Sequence, residues 1–133
     1  MAVWLSGMNS SRLTEIEDRI GREAPHLSPA DVAALAQIVE RLVRAYDPER
    51  IYLFGSKARG DAGPDSDFDL LLVVPDEAEP ERRRSRLAYQ TLRGTGTAAD
   101  ILVLTRAYFI SRLHLAASLP ATVAREGTLV HAA

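Results

Sequence analysis

Three aspartates carry the chemistry open to this chain. Asp67 and Asp69 stand two residues apart at the head of an apolar run, Leu70-Leu71-Leu72-Val73-Val74, and Asp100 opens a later one, Ile101-Leu102-Val103-Leu104. In an extended strand alternate side chains share a face, so Asp67 and Asp69 point the same way, roughly 7 Å apart. Phe68 and Leu70 then face the core. Asp100, on a parallel neighbour, brings a third carboxylate to the acid face. Two like charges 4 Å apart cost ~4 kcal/mol at an effective dielectric of ~20. A divalent cation removes that penalty, and hard oxygen ligands without Cys or His favour Mg²⁺ or Mn²⁺. A pair of such ions can activate an attacking oxygen and stabilise a leaving phosphate. The bland alternatives are a solvated strand end for Asp67 and Asp69 and a turn residue for Asp100. The apolar run behind the first two argues against the former.

Gly55-Ser56 supplies a second half. It follows the apolar stretch 51–54, and ten residues separate it from Asp67. A glycine lets backbone approach a ligand closely, and the amides that open a following helical turn point at an anion. The Ser56 hydroxyl adds a further bond to phosphate. Together the two halves suit a nucleoside triphosphate with its metal ions. Arg59 has two readings, contact with a phosphate or an ion pair with Asp61 or Asp65. Lys57 is expected to be solvent-exposed, as are Arg82, Arg83, Arg84, Arg86 and Arg93. His26, His114 and His131 are scattered without metal-ligand spacing.

Gly55-Ser56-Lys57-Ala58-Arg59-Gly60, followed by Ser66-Asp67-Phe68-Asp69-Leu70 and by Asp100, resembles the minimal nucleotidyltransferases of the DNA polymerase β-like superfamily. The resemblance covers the chain from about Ser28 onward. It implies a polymerase β palm-like fold, with Asp67, Asp69 and Asp100 as metal ligands and catalytic residues, and Gly55 and Ser56 as the phosphate-binding pair. It also implies transfer of AMP from ATP to a protein hydroxyl. Many members are antitoxins paired with a HEPN-domain ribonuclease toxin, whose tyrosine is the implied acceptor; Asp100 could help deprotonate it. Two other readings stay open: an antitoxin that neutralises by binding alone, and a transferase acting on a small molecule.

The rest of the chain must position these groups. At 133 residues it is expected to be one structural unit with a normal core. A net charge of -2, from 16 basic and 18 acidic side chains, argues against a general nucleic-acid binder. The absence of cysteine excludes disulfides and thiolate metal sites. No apolar run approaches the ~20 residues of a membrane span, and the N-terminus lacks a secretory pattern, so the expected location is cytoplasmic.

Residues 1–10 carry little pattern and are read as a loose end. Leu13, Ile16 and Ile20 predict a short amphipathic helix ending near Gly21. Residues 1–27 are read as an N-terminal extension and 28–133 as the nucleotidyltransferase domain. Ser28-Pro29-Ala30-Asp31 is a helix start, and Val32 to Tyr46 carry an apolar stripe that Asp47-Pro48 ends. Strands are expected over 51–54, 67–74 and 99–104. A helix is expected from Pro80 through Leu92, and another after Thr105 containing Phe109 and Leu113, broken at Leu119-Pro120. A last short helix is capped by Gly127, and 128–130 form an edge strand. The fold class is therefore α/β, a small mixed sheet flanked by helices. For Gly55-Ser56 to meet Asp67, the first two strands must be antiparallel; for Asp100 to join them, the third must run parallel to the second. The arginine-bearing segment 80–92 and the helix around Leu13, Ile16 and Ile20 are the expected docking surfaces for a partner.

Overall fold

Ser28 and Pro29 begin the longest helix as the residue types require. In the computed structural model, which describes residues 10–63 and 66–133, α2 spans Pro29–Tyr46. Ser28 is extended, and its side chain accepts a hydrogen bond from the Asp31 amide at 3.1 Å. At the other end Asp47 takes a left-handed conformation and returns its N–H to the Val43 carbonyl. The stripe Leu35, Ile38, Val39, Leu42, Val43 and Tyr46 is buried.

The sheet contains β1 (Arg50–Phe54), β2 (Phe68–Val74), β3 (Ala99–Thr105) and β4 (Thr128–Ala132), in the order β3-β2-β1-β4. β1 pairs antiparallel with both β2 and β4, and β2 pairs parallel with β3. The sheet is mixed, as the proposed chemistry demands. Its two faces are covered unequally. Phe68, Leu70, Leu72 and Val74 of β2 join Ile51, Leu53 and the α2 stripe in the larger core. Tyr52, Leu71 and Val73, on the opposite face, pack in a smaller cluster with Phe109 and Val123. Burial on both faces is why β2 is continuous hydrocarbon after its first two residues.

Four elements depart from the sequence expectation. The first helix, α1 (Ser10–Glu23), runs past Gly21, and nothing lies within 4 Å of that glycine's missing side chain. Ile16 and Ile20 belong to the larger core, with Leu13 packed against it. The apolar face of α1 is thus taken up by the protein itself and is not left over for docking.

The expected helix from Pro80 through Leu92 is broken. Pro80–Arg83 form a 3₁₀ turn, Arg84 is extended, and α4 spans Arg86–Thr91. The Tyr46 ring reaches this break from α2. Its hydroxyl donates to the Arg84 carbonyl and accepts from the Ala88 amide at 2.8 Å. Two backbone groups that a continuous helix would pair internally are met by one side chain. Arg82, Arg83, Arg84, Arg86 and Arg93 are exposed, as expected. Replacement of Tyr46 by Phe should cost about 0.5–1.5 kcal/mol, because the Arg84 carbonyl loses the hydroxyl while the Ala88 amide keeps its bond to the Ser85 carbonyl at 2.9 Å. Urea titration would show this as a lower midpoint at unchanged m; an unchanged midpoint would show that the break is held otherwise.

The remaining departures lie near the C-terminus. Thr105 caps α5 (Arg106–Ser111) through the Tyr108 amide, yet the helix stops short of Leu113. Leu119 and Pro120 begin α6 (Leu119–Glu126) rather than ending a helix, with Ser118 as the cap. Proline at the second helical position lacks only an N–H that would have no intrahelical partner. Gly127 ends α6, and β4 then forms the sheet edge beside β1.

Candidate active site

β1 carries the chain directly into Gly55, and the strand register decides what Gly55 meets. Phe54 stands opposite Asp69 in the antiparallel pair, and Asp69 stands opposite Asp100 in the parallel pair. These three residues form a row across the sheet, on the face that carries Tyr52, Leu71 and Val73 further along. Asp67 lies immediately before β2, which begins at Phe68.

Gly55 has φ +74° and ψ −157°, a combination essentially confined to glycine. A β-carbon added there would lie 2.3 Å from Oδ2 of Asp69. Backbone and carboxylate are therefore in contact where only a hydrogen fits. The chain next makes a single turn, α3 (Ser56–Arg59), closed by Gly60, whose N–H reaches the Ser56 carbonyl. The amides of Ser56 and Lys57 open this turn, where the first N–H groups have no intrahelical partner.

Asp69 is half-buried, and its carboxyl is pushed above the ordinary value of 3.8. Burial is the main cause, followed by the negative charges of Asp100 and then Asp67, while Arg59 opposes them. The three aspartates thus interact electrostatically. Asp67 and Asp100 are exposed. Among the described residues, no three His, Cys, Asp or Glu side chains are already gathered into a cage that could hold a metal ion. The register sets Asp69 opposite Asp100 in the parallel pair. An excess of negative charge on hard oxygen donors fits Mg²⁺ or Mn²⁺.

Arg59 is exposed and pairs with Asp61, Nε to Oδ2 at 3.2 Å; its other expected partner, Asp65, lies outside the described residues, as do residues 1–9. Its charge also acts on Asp69. Lys57 corrects the expectation of exposure. Its side chain is 6% exposed, its ammonium is 3.0 Å from Oδ2 of Asp31, and it lies 5.1 Å above the Phe68 ring. No local signal marks Lys57 as buried, because its partners are 26 residues before it and 11 after. Among the cavities lined by described residues, one of about 550 Å³ lies between α1 and β4, and one of about 390 Å³ lies beside α3.

Comparison with known proteins places this geometry in a class. The profile of the nucleotidyltransferase domain family matches residues 34–126, and the chain belongs to that family. That span includes Gly55, Ser56 and all three aspartates. Among solved structures, the chain is similar to a Sulfolobus solfataricus protein assigned to the nucleotidyltransferases. Identity is 24% and the TM-score 0.49, over 92% of this chain and 88% of that one. It is also similar to a toxin–antitoxin solved with AMP-PNP, at 21% identity and a TM-score of 0.48, over 73% of each chain. No curated protein matches the chain significantly. At these scores the two structures describe a resemblance of form, and membership rests on the family profile.

Proposed function

We propose that this nucleotidyltransferase transfers AMP from ATP to a hydroxyl of a partner protein, and that the partner is a HEPN-type ribonuclease toxin silenced at a tyrosine. The observation that carries nucleotidyl transfer is the close approach of Gly55 to the Asp69 carboxylate, with Asp100 opposite Asp69 on the parallel neighbour. The protein acceptor is supported by exposed apolar surface on the acid-bearing side of the sheet. Tyr108, Ile110, Leu113, Leu115 and Leu119 are exposed along the segment that covers the acid-bearing face of the sheet. Such apolar surface suits a folded partner.

In this reading Asp67, Asp69 and Asp100 hold Mg²⁺, which when bound supplies charge neutralisation and polarisation of the phosphoryl oxygens. The turn after Gly55 orients the triphosphate through its amides and the Ser56 hydroxyl. Asp100, at the exposed start of β3, accepts the proton of the attacking hydroxyl as its oxygen bonds the α-phosphorus of ATP and pyrophosphate leaves. The partner presents that hydroxyl in place, and orientation of this kind can be worth several kcal/mol of the barrier. A cytoplasmic location belongs to the same proposal; among the described residues no helix is long and apolar enough to cross a membrane.

The test is intact-mass spectrometry of a HEPN protein encoded beside this one, incubated with the protein, ATP and Mg²⁺. The expected result is a gain of one or more AMP units on the partner, with little transfer when the partner is omitted. A partner that stays unmodified while its nuclease activity is fully neutralised would replace catalysis with inhibition by contact.

A further inference from the structure

The sequence pattern leaves Lys57 without a role, and its burial asks for one. A buried ammonium is costly unless paired, and an apolar side chain of similar length would fill the space at lower cost. We propose that Lys57 is a positioning residue that locks the Gly55–Ser56 turn to the strand carrying the aspartates. The proposal rests on the nucleotidyltransferase reading of that site.

Four contacts support it, and they join the turn to β2, to α2 and to the loop before α2. The Lys57 ammonium is 3.0 Å from Oδ2 of Asp31, in the first turn of α2. The same ammonium lies 5.1 Å above the ring of Phe68, the residue between Asp67 and Asp69. Phe68 is itself fixed in the larger core. The Lys57 carbonyl is 2.7 Å from Nε2 of His26, in the loop before α2. On the other side of the turn, Gly55 is set against Asp69. One side chain thus grips both halves of the site, and α2 holds that side chain. Asp31 in turn is placed by the cap that Ser28 forms with its amide.

A four-residue turn ending in glycine has little stability of its own. Its orientation toward a triphosphate must come from tertiary anchors. Displacing a binding group by about 1 Å can cost roughly 10²-fold in rate. The Lys57 side chain therefore acts on nucleotide affinity and turnover through the turn, without itself touching the nucleotide.

The test is calorimetric titration with ATP and Mg²⁺ at a temperature where circular dichroism shows each variant folded, alongside KM and kcat for ATP. Lys57→Met should weaken ATP–Mg²⁺ binding about tenfold or more and raise KM. Asp31→Asn should act in the same direction to a smaller extent, and the double variant should be no weaker than Lys57→Met, because the pair works as a unit. Lys57→Arg should recover most of the affinity. A lower melting temperature with unchanged affinity in Lys57→Met would reduce the residue to a structural part and overturn the proposal. Should that variant not fold, Asp31→Asn decides: its carboxylate is 31% exposed, and wild-type affinity in it overturns the proposal as well. A wild-type protein that does not bind ATP with Mg²⁺ would instead remove the nucleotide site itself. That outcome is distinct from one in which wild type and variants bind equally.

Discussion

Asp69→Asn should lower nucleotidyl transfer by about 10³-fold or more while leaving the metal-free protein folded. The loss follows from removing the charge of the most buried of the three acids, at the centre of the row. A divalent ion contributes several kcal/mol of transition-state charge stabilisation, and each 1.36 kcal/mol is tenfold in rate. Stability should move the other way. The folded state holds the Asp69 carboxyl above its ordinary value, through burial first and then the charges of Asp100 and Asp67. A raised value means the folded chain binds its proton more readily than the unfolded chain does. The protonated form therefore favours folding, and that contribution is lost as pH rises through the raised value. At neutral pH the ionised carboxylate is a liability, which asparagine lacks. In EDTA at pH 7 the variant should melt at the same temperature as wild type or higher. The difference should close as pH falls toward 3.8. A variant that keeps normal label transfer from ATP would remove Asp69 from the site, and one that unfolds would make its role structural.

Gly55→Ala should lose both stability and activity, for two separable reasons. The backbone conformation at φ +74° and ψ −157° costs an alanine about 1–3 kcal/mol. The new methyl would also lie 2.3 Å from Oδ2 of Asp69, so the carboxylate must rotate away or the turn must shift. Either movement should reduce transfer by roughly 10²-fold. Gly94 provides the control. It too has positive φ, at +88°, but nothing lies within 4 Å of where its β-carbon would be. Gly94→Ala should show the backbone cost in its unfolding midpoint and leave transfer unchanged. Equal activity losses in the two variants would show that backbone strain, and not the approach to Asp69, accounts for the effect at Gly55.

Much of the frame was legible because it depends on local residue types. Ser28-Pro29 starts a helix before the apolar stripe, and Thr105 starts another through its side-chain hydroxyl. Gly127 ends α6 in extended backbone, where a β-carbon would lie 2.6 Å from the Val123 carbonyl oxygen. The apolar run from Leu70 to Val74 requires cover on both faces and so places β2 inside the sheet. The strand directions followed from a chemical requirement: for Gly55-Ser56 to meet Asp67 the first two strands must be antiparallel, and for Asp100 to join them the third must run parallel to the second, as β1, β2 and β3 do. The polar types at strand heads thus carried topology as well as chemistry.

What the sequence alone could not determine depends on partners far along the chain. Periodicity from Pro80 to Leu92 suits one helix, but the Tyr46 hydroxyl, some forty residues earlier, offers the backbone a different set of hydrogen bonds and a break results. The stripe Leu13, Ile16, Ile20 is the same whether it meets a partner or its own core; only packing against α2 and β4 decided that it is core. Lys57 reads as a surface cation because lysine is rarely buried. Its burial is decided by Asp31 and Phe68, which the fold brings to it from opposite directions. Local preferences are set by each residue and its near neighbours, so a sequence displays them. A charge held by a distant acid and a distant ring exists only once the chain has closed.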